Sequence, residues 1–176
     1  MTSNRTYPEE RAGTFPRPPR TIADREGREI ELHSADRDDQ PALLEMYEAF
    51  DPADRAQGIP PVKQYAVENW LETVLEEGNL NAVASYDGDV IGHAMLVADG
   101  QGEFELAIFV LGAYQSAGIG TDLIETLLGH GQDEGIEKVW LTVERWNKAA
   151  IGLYQKVGFE ICDTESFEIE MSIRLD

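Results

Sequence analysis

The sequence predicts an α/β (α+β) fold, a mixed sheet with helices on its faces, built as one domain. Three observations carry that prediction. Apolar residues recur at helical spacing in some stretches and alternate or run continuously in others. Asp87-Gly88 sits between two apolar runs, a strong cue for a hairpin. Residues 104–111 form a nearly continuous apolar run, as in a central strand, and lead into a glycine-spaced turn and an amphipathic helix. With 176 residues and 42% hydrophobic content, the chain can bury an ordinary core.

Taken in order, residues 1–28 hold four of the eight prolines, including Pro16-Arg17-Pro18-Pro19, and show no apolar period. They read as an N-terminal extension, an extended tail or a strap over the domain of residues 29–176. Residues 29–32 alternate polar and apolar and predict a first strand. Residues 36–50 predict a helix with Leu43, Leu44, Met46, Tyr47 and Phe50 on one side. Residues 51–61, rich in Pro, Asp and Gly, predict a loop, and residues 62–77 a second helix burying Tyr65, Val67, Trp70, Leu71, Val74 and Leu75. Strands follow at 81–86, 90–97 and 104–111, then a helix from the turn at 115–120 to about residue 134. A strand at 138–143, a helix at 147–157 and strands near 159–162 and 167–175 finish the chain, giving the order β α α β β β α β α β β.

Fourteen Lys and Arg stand against 34 Asp and Glu, a formal charge of -20. Residues 1–28 carry six Arg and four acidic residues, so the excess of acid lies in the body. A body this acidic disfavours nucleic acid, whose phosphates require a basic footprint. An acidic, lysine-poor surface repels itself unless concentrated salt screens it, so a halophilic source is expected. Without an apolar span or a signal-like N-terminus, the sequence predicts a soluble, cytoplasmic protein with no membrane partner. One cysteine, Cys162, excludes an intrachain disulfide framework and a multi-cysteine metal site. His33, His93 and His130 lack ligand spacing, so no metal is expected.

Chemistry concentrates in Gln115-Ser116-Ala117-Gly118-Ile119-Gly120-Thr121, where a buried strand turns through glycines into a helix. N–H groups at a helix N-terminus are unpaired and lie at the positive end of its dipole, and glycines let an anion approach them. A Walker loop does not fit, because no Gly-Lys-Ser/Thr follows. A dinucleotide fingerprint does not fit either, since Leu123 stands where its third glycine belongs. A plain strand-to-helix turn stays open on this segment alone.

Downstream, Asn147 suits a helix N-cap and Gly158 a C-terminal stop. Asn147, Ala150 and Tyr154, at i, i+3 and i+7, share one face of that helix. The Gln-x-x-Gly-x-Gly run from 115 to 120 and the Asn-x-x-Ala-x-x-Leu-Tyr-x-x-x-Gly-Phe run from 147 to 159 together resemble the GCN5-related N-acetyltransferases, the GNAT superfamily. The resemblance covers roughly residues 29–176. It implies a single GNAT-like domain with a mostly antiparallel, splayed sheet, and acetyl transfer from acetyl-CoA to a primary amine in a ternary complex.

By the same resemblance, Ile108, Phe109 and Val110 would lie against the pantetheine arm, with the Val110 N–H polarising the thioester carbonyl. Gln115, Ser116, Ala117, Gly118, Ile119, Gly120 and Thr121 would hold the diphosphate, while Asn147, Ala150 and Tyr154 would line the thiol end. Tyr154 fits the acid that protonates the departing thiolate, and its packing as a core aromatic with a satisfied hydroxyl stays open. Some relatives carry a glutamate on the strand before Asn147, where this chain has Thr142. Glu105, interrupting an apolar central strand, is the favoured base, and a structurally paired Glu105 stays open; Glu144 and Asp51 are weaker candidates.

Arg145, Lys148 and Lys156 could neutralise the 3′-phosphate of CoA, and Trp146 could border the cleft. Residues 50–61 and the last strands would build the acceptor pocket, which leaves a small amine, a protein lysine or an N-terminus open as acceptor. Two alternatives remain: a non-catalytic acyl-CoA-binding sensor or regulatory module, and a tail that docks on a partner subunit or a mate in a homodimer.

Overall fold

In the computed structural model, residues 5–50, 61, 63–164 and 167–176 are described. Among the described residues, eight strands form one sheet: β1 (Arg20–Ala23), β2 (Glu29–Ala35), β3 (Leu80–Tyr86), β4 (Asp89–Ala98), β5 (Phe104–Val110), β6 (Lys138–Glu144), β7 (Glu160–Asp163) and β8 (Glu168–Arg174). Their spatial order is β1-β2-β3-β4-β5-β6-β8-β7, antiparallel throughout except where β5 and β6 run parallel. Four α-helices accompany them among the described residues: α1 (Gln40–Glu48), α2 (Gln64–Val74), α3 (Ile119–Asp133) and α4 (Lys148–Val157).

The periodicities in the sequence explain the two layers of core. On α3, Leu123, Ile124, Leu127 and Leu128 face the sheet and are fully buried among Leu96, Leu106, Val139, Leu141 and Met171. Each such side chain contributes roughly 1.5–3 kcal/mol by leaving water. On the opposite face, α1 and α2 bring Leu43, Met46, Tyr47, Val67, Leu71 and Val74 against Val83, Met95 and Phe109. There the aromatic rings of Tyr47, Phe50, Trp70 and Phe109 meet at centroid distances of 5.3 to 5.9 Å.

A polar chain pins this second layer. The Tyr47 hydroxyl lies 2.7 Å from His93 Nδ1, His93 Nε2 lies 2.7 Å from Asn81 Oδ1, and Asn81 Nδ2 donates to the Val74 carbonyl at 3.0 Å. Asn81 donates through its amide and so accepts through Oδ1, which places the His93 proton on Nε2 and leaves Nδ1 to accept from Tyr47. Val74 ends α2, so Asn81 satisfies one of the carbonyls that a helix leaves unpaired there. Burial holds the His93 pKa down at about 3 and pushes the Tyr47 hydroxyl well up.

Tyr65, expected on the buried side of the second helix, is 62% exposed, because helical spacing turns it to the side of α2 away from Val67, Leu71 and Val74. Two elements also differ from the sequence reading. Residues 36–50 split into a 3-10 turn, Arg37–Asp39, capped by Asp36, followed by α1, because Pro41 at the start of α1 has no N–H for an earlier turn. A further strand, β1, lies inside the segment read as a tail and pairs with β2, Ile22 opposite Ile30. Four residues are too few for alternation to register in sequence, and the pairing supplies the order.

The rest of the extension wraps the sheet. Ser172 Oγ donates to the Thr6 carbonyl, Arg174 Nε to the Pro8 carbonyl, and the Arg5 guanidinium stacks 3.6 Å from the Trp140 ring centroid. These residues lie on the face of β6 and β8 opposite Val139, Leu141 and Met171, and Ser172 is fully buried there. The chain then rounds the sheet, with the Ala12 N–H on the Arg174 carbonyl at 2.8 Å, and crosses α3. There Phe15 N–H donates to Gln132 Oε1, and a Cβ on Gly129 would stand 1.9 Å from the Pro16 carbonyl oxygen. Gly129, costly inside a helix, is explained by this close approach.

Candidate active site

The splay between β5 and β6 is the central feature. Their pairing stops at Phe104↔Val139 and Glu105↔Trp140, although β5 continues to Val110. Leu111 N–H bonds the Ile91 carbonyl on β4, and alternation along the regular β4–β5 ladder then turns the N–H and C=O groups of Ile108 and Val110 away from β4. They point into the gap. The Val110 carbonyl receives Gln115 Nε2 at 2.9 Å, which ties the first residue of the glycine motif to the strand. The Phe109 side chain faces the other way, into the aromatic cluster.

Beyond the strand, a 3-10 turn (Gly112–Tyr114) leads to the cradle. Ser116 has φ 60° and Gly118, the N-cap of α3, has φ 88°, a left-handed backbone that suits glycine. Among the described residues no side chain caps α3, whereas Asn147 Oδ1 accepts from the Ala150 N–H at the start of α4. The first amides of α3 are thus left for an anion. Ala117 and Ile119 bury their side chains, so the cradle is made of backbone. Gly120 serves packing: a Cβ there would stand 3.1 Å from Leu153 Cδ1 on α4 and 3.8 Å from Ile108 Cδ1. That contact draws the start of α3, the face of α4 and the gap strand together.

Tyr154 follows Leu153 on α4. Its ring packs edge-on to Phe159 at 6.0 Å, and its hydroxyl has no hydrogen-bond partner among the described residues. Burial pushes its pKa up to about 12, so it stays a donor at any physiological pH. Half-exposed and without a protein partner, this hydroxyl is available to donate to a ligand. Glu105 stands where the β5–β6 ladder ends, on the α1/α2 face of the sheet. Partial burial raises its pKa, Arg5 lowers it, and Asp99, Glu168 and Glu170 raise it. Tyr154, packed with the α3-side core, and Glu105 therefore lie on opposite faces of the sheet.

Other predicted residues sit nearby or apart. Trp146 is 74% exposed, with its indole N–H donated to the Glu144 carboxylate, and Arg145 donates to the Thr164 carbonyl. Lys148 and Lys156 are exposed on α4. Thr142 lies on β6, opposite Glu170. Asp51, and residues 51–60 of the segment assigned to the acceptor pocket, lie outside the described residues. A cavity of about 320 Å³ lies beneath the strap, between residues 8–15 and the end of α4, away from the gap. Among the described residues no cluster of His, Cys, Asp and Glu could hold a metal, and no helix is long and apolar enough to cross a membrane.

Sequence reasoning missed the hairpin between β1 and β2. Arg25 N–H donates to the Ala117 carbonyl at 2.9 Å, and the Arg28 guanidinium lies 4.5 Å over the Tyr114 ring, so the hairpin turn docks on the cradle. The one signal was the concentration of arginine in an otherwise acidic chain.

Residues 41–159 match the model of the Acetyltransferase (GNAT) family. An uncharacterized N-acetyltransferase of Mycobacterium tuberculosis is 33% identical over 87 residues, 49% of this chain and 56% of that protein, so the chain spans about half the length of such curated relatives. The GNAT domain of Streptomyces lividans PAT superposes with a TM-score of 0.76 at 17% identity, covering 89% of this chain and 97% of the other. The protein yncA of Salmonella typhimurium, solved with its cofactor acetyl-CoA, superposes with a TM-score of 0.66 at 22% identity, covering 84% of this chain and 94% of the other.

Proposed function

The chain belongs to the acetyltransferase (GNAT) family, and from that premise we propose that it moves an acetyl group from acetyl-CoA to a primary amine, on a small molecule or on a protein lysine or N-terminus. The single observation that carries this reading is the gap. Unpaired β5 amides line it, an uncapped helix terminus stands at one end, and α4, the helix that carries Tyr154, reaches both through Leu153. The residues fit the coenzyme, whose bound form would supply an activated thioester acetyl group.

Each residue then has a task. The amides from Gly118 to Thr121 bind the diphosphate, with Gln115 fixing the turn against Val110. The N–H groups of Ile108 and Val110 and the Ile108 C=O orient the pantetheine arm, and an N–H of the pair polarises the thioester carbonyl. Of the two amides, that of Ile108 is nearer Glu105, three residues rather than five, or about 10 Å against about 17 Å along a strand. A Glu105 carboxylate takes the ammonium proton of the acceptor through a water, and its raised pKa makes it a better base than an ordinary carboxylate. Tyr154 donates its proton toward the leaving sulfur from the other face. An amine entering from the α1/α2 face thus meets the base, while the acid waits on the coenzyme side.

Calorimetric titration of acetyl-CoA, followed by thiol release with a panel of amines, tests the proposal. Binding with turnover on at least one amine is expected. Absence of binding would refute it, and tight binding without turnover would favour the sensor.

A further inference from the structure

Six arginines crowd the N-terminal extension, and five of them face a carboxylate. Arg5 pairs with Glu103 and Glu170, Arg11 with Asp176, Arg17 with Asp133, Arg20 with Asp122, and Arg28 with the buried Asp24. The sixth does not. Among the described residues no carboxylate pairs with Arg25; its side chain reaches only the Ser116 carbonyl, at 3.5 Å, and its Nε stands 3.7 Å from where a Cβ on Gly118 would be. Gly118 is the N-cap of α3, so this exposed guanidinium lies against the cradle.

The hairpin turn that carries it is rigidly held. Asp24 Oδ1 accepts the N–H groups of Glu26 and Arg28, each at 2.9 Å, and Oδ2 accepts Arg28 Nε at 2.7 Å. The Asp24 carboxyl stays below its usual pKa, because these bonds, the Arg28 side chain first, outweigh the upward push of burial. Arg28 is spent on Asp24 and on the Tyr114 ring. The Arg25 backbone, through its bond to Ala117, fixes the turn on the cradle and leaves the side chain free of that duty.

We propose that Arg25 is a phosphate-binding residue of the coenzyme site, so that the N-terminal extension completes the cradle with the one cation the glycine turn lacks. The proposal rests on the reading of that turn as the coenzyme's diphosphate site. A body with this excess of acid repels a coenzyme carrying several negative charges, and backbone amides alone offset that weakly. A planar guanidinium beside them supplies charge-assisted, two-pronged bonds to phosphate oxygens. The two sources of phosphate on the coenzyme, its diphosphate and its 3′-phosphate, share this chemistry.

The test is calorimetric titration of the full chain and of Arg25→Ala and Arg25→Glu with CoA and with 3′-dephospho-CoA, alongside thermal melts. Arg25→Ala should melt as the wild type and bind CoA about five- to tenfold more weakly, with a larger loss for Arg25→Glu. The same loss with 3′-dephospho-CoA assigns Arg25 to the diphosphate, and a loss confined to CoA assigns it to the 3′-phosphate. Unchanged affinity in Arg25→Ala, or equal losses in the two variants, overturns the proposal. If the wild type itself binds neither probe, the reading of the turn as a coenzyme site fails instead.

Discussion

Lowering the pH should destabilise this protein through one histidine. His93 is fully buried and neutral, with Nε2–H on Asn81 and Nδ1 accepting from Tyr47. Burial holds its pKa at about 3, against 6.5 in the unfolded chain. The unfolded chain therefore binds the extra proton first, and the stability His93 confers is complete above pH 6.5 and is lost as pH falls toward 3. That interval is worth roughly 4–5 kcal/mol, of which about 3 kcal/mol is gone by pH 4. Protonation would also face an Nδ1–H with the Tyr47 hydroxyl, which must then turn its own proton elsewhere within the core. The perturbation is His93→Gln, which lowers stability at every pH but carries no titrating group. Urea unfolding from pH 7 to 4 at fixed ionic strength measures both chains. The wild type should lose about 1.4 kcal/mol per pH unit more than the variant across pH 6 to 4. Parallel curves, or an NMR titration placing His93 near 6.5, would refute the reasoning.

Other outcomes follow from the same geometry. Tyr154→Phe should lower kcat by roughly 10- to 100-fold with little change in acetyl-CoA affinity, read by steady-state rates beside calorimetry. Glu105→Gln should lower kcat by about 100-fold and abolish the fall in rate on the acid side, which arises because the base works only when ionised and which partial burial of Glu105 shifts upward in pH. Gly129→Ala forces the Pro16 carbonyl away and should cost about 1–3 kcal/mol, with earlier proteolytic cleavage in residues 5–19. If the charge of -20 reflects a salt-rich source, Tm should rise by roughly 4 °C or more between about 0.1 M and about 2 M KCl.

Local chemistry alone determined much of this protein. Alternation and helical spacing act within a few residues, so the strands from β2 to β8 and the four helices could be read from the chain, as could Asn147 as an N-cap and Gly118 at a turn. The two glycine-bearing motifs could be recognised for the same reason, since each is contiguous. Tertiary structure decided what depends on distant segments meeting. β1 exists because β2 pairs with it, Gly129 matters because Pro16 crosses it, and Gly120 matters because Leu153 leans on it. Whether Glu105 and Tyr154 share a face could not be told from spacing, because the answer lies in where the β5–β6 ladder stops. Arg25 reaches the cradle only by a hairpin folding back across more than ninety residues of sequence, a closure that no local pattern encodes.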